Sequence, residues 1–214
     1  MKSQLSSIMD VLKLAERLKF ELRHSYTSNG RRESVAEHTW RMSLMAVLIE
    51  PLLPQKPDMS RLLKMIIIHD LVEAEATDIP VLDILRNPSL KEQKVKEEQA
   101  AIENLRKKLA GTNGQEIYDL WYEFEHKETY EAKVANALDK LEAQLQHNDA
   151  SITTWEEQEY DLCYMMGRHT AFDETLAALK DLIEQDAEEK MIRAGVNVEE
   201  VKERVRKLFG NLGI

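Results

Sequence analysis

Apolar residues recur along most of the chain at the three-and-four spacing of a helix, seldom in the alternation of a strand. Residues 4–19 set Leu5, Ile8, Met9, Val11, Leu12, Leu14, Ala15 and Leu18 on such a pattern. Residues 21–33 break it. They hold the turn signal Asn29-Gly30 and read as a loop long enough to carry function. Ser34-Val35-Ala36-Glu37 forms a capping box, in which Ser34 and Glu37 each satisfy a backbone N–H of the other. A helix is predicted from there to about Glu50. Its residues Trp40, Met42, Leu44, Met45, Val47, Leu48 and Ile49 are apolar almost all round, which marks it as central. Pro51 and Pro54 then enforce a loop.

The next helix is predicted near 59–75, through Leu62, Leu63, Met65, Ile66, Ile67 and Ile68. Periodicity alone would also allow a strand here; length and flanks favour a buried helix. Further helices are predicted near 80–86, 89–110, 114–126, 129–148, 154–168, 170–189 and 197–209. Thr154-Trp155-Glu156-Glu157 reads as a second capping box, and Asn197 with Glu200 as a weaker helix start. All five prolines lie between 51 and 88, so nothing interrupts long helices beyond. The outcome is a single all-α domain of about ten helices spanning 1–214, the last helix being a peripheral addition or part of a dimer contact.

Composition narrows the function classes. A formal charge of −10 argues against a nucleic-acid surface, which needs a basic patch to displace counterions, yet leaves room for a small phosphate ligand. The single cysteine, Cys163, excludes an intramolecular disulfide and reads as a small buried hydrophobe. The chain opens without a signal-peptide pattern, so a cytoplasmic protein is expected. No apolar run approaches the ~20 residues that span a bilayer. The Glu/Lys-rich stretch 91–108 reads as a solvated face laced with ion pairs.

Against this background some polar residues stand out. His38 lies in the first turn of one apolar helix, and His69-Asp70 ends the Ile66-Ile67-Ile68 run of another. Asp139 sits among Val134, Ala135, Ala137, Leu138 and Leu141. Buried groups of this kind need partners or a metal. Each taken singly reads better as a surface or hydrogen-bonded residue; together, on three buried helices, they read as a metal site built inside a bundle. Glu73, four residues after His69, can share a helix face with His69 and Asp70. Two imidazoles with two carboxylates suit Mn, Fe, Co, Ni or Zn better than calcium. Lys140 either contacts a phosphate or points away from Asp139. Trp121 and Trp155 read as packing residues and Trp40 as packing behind the site. His126, His147 and His169 read as surface or partly buried residues without a role.

The order His38, His69-Asp70, Asp139 resembles the H…HD…D signature of the HD-domain phosphohydrolase superfamily. Glu33-Ser34-Val35-Ala36-Glu37-His38, His69-Asp70-Leu71-Val72-Glu73 and Thr77-Asp78-Ile79-Pro80 resemble segments of its 5′-deoxynucleotidase-like branch. The likeness covers about 10–145, which would be the domain core, with the helices of 150–214 packed on it. It implies an all-helical, dimeric enzyme that removes phosphate from deoxyribonucleoside 5′-monophosphates with one divalent metal, Mg among the options. By the same resemblance His38, His69, Asp70 and Asp139 would hold the metal, and Asp70 would also orient the attacking water. Glu73 would be the catalytic acid or base, Asp78 would read the sugar, and Arg23 would contact phosphate. His24 stands where this branch carries a tryptophan, and Tyr26 would take over the aromatic role. Ala76 stands where a glycine often precedes the turn at Thr77-Asp78. A nucleotide-binding regulatory protein and a phosphatase for another small metabolite are the rival readings. A dinuclear enzyme would need more histidines than His126 between His69-Asp70 and Asp139.

Overall fold

Side-chain caps set where the main helices begin. In the computed structural model, which describes residues 1–209, Ser34 and Glu37 close their capping box at the start of α2. Asp58 caps α3, Thr129 caps α8 and Asp173 caps α11, each through its side-chain oxygen. The helical segments in order are α1 (Lys2–Ala15), α2 (Val35–Ile49), α3 (Met59–Ile68), α4 (Glu73–Ala76), α5 (Val81–Arg86) and α6 (Ser89–Lys108). They continue with α7 (Gly114–His126), α8 (Tyr130–Asp149), α9 (Glu157–Leu162), α10 (Gly167–Thr170), α11 (Glu174–Arg193) and α12 (Val198–Phe209). The fold is thus all-helical but for one hairpin. Residues 210–214 of the expected domain lie outside the described residues.

Helix α8 is the axis. It is buried along most of its length and packs against α2, α3, α7, α10 and α11. Met42, Leu62, Met65, Ile66, Leu138 and Leu141 close the core around it, each contributing roughly 1.5–3 kcal/mol by burial. A smaller cluster joins Trp155, Cys163, Tyr164, Ala187, Met191, Val198, Val201 and Val205 in the C-terminal helices, with Cys163 fully buried as read from sequence.

Several sequence expectations are corrected. Residues 21–33 are not a plain loop: β1 (Leu22–Tyr26) pairs antiparallel with β2 (Arg32–Ser34) around a turn at Asn29-Gly30. The strands are short, polar and irregular in register, so they lack the alternation that announces a strand. The helix near 59–75 stops at Ile68, turns through 69–72 and resumes at Glu73, so Glu73 does not share a continuous helix with His69 and Asp70. Thr154 caps nothing at its predicted place. Trp155 is extended and buried, and the capping box is formed two residues later by Glu156 and Glu159. The helix expected over 154–168 is accordingly split into α9, a short 3-10 turn and α10. The outer side of α2 is not buried: Trp40 is 65% exposed, and Leu44, Val47 and Leu48 also face outward. Only the stripe Val35, His38, Met42, Ala46 and Ile49 turns inward, so Trp40 does not pack behind the polar group.

Candidate metal centre

Three of the polar residues picked out by sequence converge between α2, α3 and α8. Donor atoms of His38, His69 and Asp139 lie within 4.8 Å of one another. His38 Nε2 is 3.3 Å from Asp139 Oδ1 and 3.8 Å from Asp70 Oδ2, while His69 Nε2 is 3.1 Å from the same Asp70 oxygen. Both histidines are buried, and Asp70 and Asp139 nearly so.

The backs of the two imidazoles are anchored. His38 Nδ1 meets Glu142, whose other oxygen accepts the Nε–H of Arg41 at 2.7 Å. His69 Nδ1 lies 2.7 Å from the carbonyl of Ile66, and Trp121 donates its indole N–H to the His69 carbonyl at 3.1 Å. An imidazole donating from Nδ1 presents a lone pair at Nε2, the arrangement that metal-binding histidines use. Among the described residues the tips have no hydrogen-bond partner: His38 Nε2, His69 Nε2 and Asp70 Oδ2 are buried orphans. Buried polar atoms without partners are costly, and three on facing side chains fit a divalent ion. The residues therefore match the metal that the sequence motif implies.

Electrostatics agree. Burial and Arg23 disfavour charge on His38, yet Glu142 and Asp139 outweigh them and push its pKa up to about 10. The surrounding carboxylates thus favour a cation at this point. Burial alone would raise Asp139 and Asp70, but Lys140 and the two histidines hold Asp139 well below the usual carboxylate range, and His69, His38 and Arg23 hold Asp70 there. Glu73 behaves in the opposite way. Burial, reinforced by Asp70 and Asp78, lifts it well above an ordinary glutamate, and its Oε2 is another buried orphan. A carboxyl of this kind can donate a proton near neutrality.

Arg23 reaches the group from β1, with Nη1 3.7 Å from Asp70 Oδ2 and Nε 3.5 Å from Glu33 Oε2. Burial works against its charge, while Asp70, Asp78 and Asp139 sustain it. Asp78 follows Thr77, whose φ of 64° is costly for a β-branched residue. The glycine-like position of this turn is therefore Thr77, not Ala76. Lys140 bends back onto Asp139 Oδ2 at 2.7 Å and is half exposed.

Residues adjacent on a strand face opposite ways. Arg23 and Ser25 both meet Glu33, whereas His24 between them meets Glu159 on α9 at 2.8 Å and stacks near His147. The carbonyl of Tyr26 accepts from Gln146 at 2.7 Å. His147, read from sequence as a residue without a role, is buried here beside Glu159, and His169 contacts Asn136.

Sequence reasoning missed four members of the centre. Glu142 lies one turn after Asp139 on the buried face of α8, a spacing that was there to be read. Arg41 lies three residues after His38, and Glu33 directly precedes the capping Ser34. Lys94 belongs to the stretch read as a solvated face. It turns inward instead, 3.6 Å from Glu73, 3.9 Å from Asp78 and 3.3 Å from Glu98.

A family model for the HD domain matches residues 15–180 of the chain. The 5′-deoxynucleotidase HDDC2 of Xenopus laevis is 36% identical over 142 residues, which are 65% of this chain and 67% of that protein. The protein of the same name from Dictyostelium discoideum is 30% identical over 178 residues, 80% of this chain and 89% of its own. Among solved structures, a predicted metal-dependent phosphohydrolase from Magnetospirillum magnetotacticum MS-1 superposes with a TM-score of 0.74. Its identity is 27%, and the match covers 88% of this chain and 97% of that one.

Proposed function

The chain belongs to the HD-domain family, and from that premise we propose that it is a metal-dependent phosphomonoesterase acting on deoxyribonucleoside 5′-monophosphates. The observation that carries the reading is the meeting of two anchored imidazoles with orphaned Nε2 atoms and two aspartates in one buried group. The activity named in its relatives supports the choice of substrate.

His38, His69, Asp70 and Asp139 would hold the ion, and their mixed nitrogen and oxygen donors suit Mn, Fe, Co, Ni or Zn. A divalent ion bound there supplies Lewis-acid polarisation of the phosphate and makes water acidic enough to attack near neutral pH. Asp70, held ionised, orients the attacking water by accepting its hydrogen bond. Arg23 offers a planar fork of donors to the non-bridging oxygens as negative charge develops on them. Glu73, held protonated, gives its proton to the leaving 5′-oxygen. Lys94 sets a positive charge beside Glu73 and Asp78, and Lys140 stands at the rim as a further phosphate contact. Asp78 reads the sugar. By the alternation of β1, Tyr26 falls on the His24 side, and the ring of His24 is engaged by Glu159, so neither side chain is assigned to the nucleoside. The same reading gives a cytoplasmic homodimer, for which the apolar outer side of α2 is the supporting feature.

Phosphate release from a panel of ribo- and deoxyribonucleoside 5′-monophosphates with Mn²⁺, Co²⁺ or Mg²⁺ tests the proposal. Metal-dependent release, favouring deoxynucleotides and lost in Asp70→Ala, is expected. Silence across the panel would reject the nucleotidase reading in favour of another phosphorylated metabolite or a binding role.

A further inference from the structure

A second group of ligand-type side chains lies on the other face of the hairpin. His24 comes from β1, His147 from the last turn of α8 and Glu159 from α9, and their donor atoms all fall within 4.8 Å of one another. His24 Nε2 is 2.8 Å and His147 Nε2 3.3 Å from the same oxygen, Glu159 Oε1. The two rings are 5.1 Å apart and tilted by 45°. Tetrahedral zinc holds histidine nitrogens and carboxylate oxygens at about 2.0–2.2 Å, which spaces neighbouring donors about 3.3 Å apart. The observed separations lie at or just below that spacing.

The surroundings hold these donors in place. Glu159 Oε2 accepts the backbone N–H of Glu156 at 2.5 Å, which turns Oε1 toward the imidazoles. Trp155 donates its indole N–H to the carbonyl of His147 at 2.9 Å and sets its ring edge-on to that imidazole. Trp121 treats the carbonyl of His69 in the same way at the centre already described. These contacts fix the backbone of His147 and one carboxylate oxygen of Glu159. Glu159 and His147 are largely enclosed, while the side chain of His24 is 26% exposed, which leaves one side open to water. Three protein donors of the His₂Glu type with an open fourth position make a set that zinc accepts.

We propose that His24, His147 and Glu159 form a second divalent-metal site of zinc type, distinct from the phosphatase centre. Its ion clamps β1, and with it Arg23, onto α8 and α9. None of the three residues belongs to the group of His38, His69, Asp70 and Asp139, so ion binding here is read independently of phosphate release.

The test uses the full chain stripped with chelator, dialysed against Zn²⁺ or Co²⁺ and analysed for bound ions by mass spectrometry. Wild type should hold about two ions per chain, and a chain carrying both Asp70→Ala and Asp139→Ala, which leaves the central group only its two imidazoles, about one. Adding His24→Gln or Glu159→Gln to that chain should remove the remaining ion, along with the visible absorption of low-coordinate Co²⁺. His24→Gln alone, at a partly exposed position that leaves the core untouched, should lower the wild-type count from about two to about one. Circular dichroism on each variant verifies the fold. An Asp70→Ala/Asp139→Ala chain that holds no ion, a remaining ion that survives both further variants, or a wild-type count unchanged by His24→Gln would overturn the proposal.

Discussion

Helix α8 serves two histidine groups that use their nitrogen atoms in opposite ways. At the central group, Nδ1 of each imidazole is committed, to Glu142 for His38 and to the Ile66 carbonyl for His69, and the buried Nε2 tips are unpartnered. At the lateral group both Nε2 tips converge on one carboxylate oxygen of Glu159, and His24 is hydrogen-bonded to it. The difference is one of cost. Orphaned tips gain outright when an ion arrives, whereas an ion at the lateral group must first displace a hydrogen bond made without it. The central group is therefore expected to bind its ion more tightly.

The sharpest way to break the comparison is to remove a central ligand. Asp139→Ala should lower phosphate release by on the order of a thousandfold, several kcal/mol of transition-state stabilisation, with helicity retained; steady-state kinetics and circular dichroism read both. A smaller effect separates the groups through pH. In metal-free protein His147 has a pKa near 4 against an ordinary value of 6.5. Between those values the unfolded chain binds the extra proton, so stability falls as pH is lowered through that window, by on the order of 3 kcal/mol from this residue. Urea unfolding at pH 7 and pH 4.5 should show a shallower loss in His147→Gln than in wild type.

Glu142→Gln probes the anchoring of His38 rather than the ligands themselves. It should weaken divalent-metal affinity at the central group roughly 10–100-fold, as measured by competition with a chelating dye. The smallest effect belongs to the turn that presents Asp78. Thr77→Gly removes a side chain from a φ of 64° and should stabilise the fold by about 1 kcal/mol in the same urea assay.

These residues also explain what the sequence disclosed. His38, His69, Asp70 and Asp139 were legible because each interrupts an apolar helical run, where a polar group needs a reason. Lys94 was not, because its helix is charged throughout and nothing local marks the one lysine that turns inward. Helix α2 was over-read. Apolar residues on every side predicted burial on every side, but within one chain only the stripe from Val35 to Ile49 meets α3, α8 and the turns beside them. The hairpin escaped because its strands are polar, and their pairing is worth little without Arg23, His24 and Glu33 meeting partners distant in sequence. The lateral group was invisible for the same reason: His24 and Glu159 are 135 positions apart.

Catalysis, as proposed, depends on the ion held by the four-residue group of His38, His69, Asp70 and Asp139. The direct measurement is a titration of chelator-stripped protein with Co²⁺, following bound ion and phosphate release from a deoxyribonucleoside 5′-monophosphate in the same samples. Activity should start near zero and rise in step with the ion that Asp139→Ala fails to bind. Full activity in the stripped protein, or undiminished activity in Asp139→Ala, would contradict it.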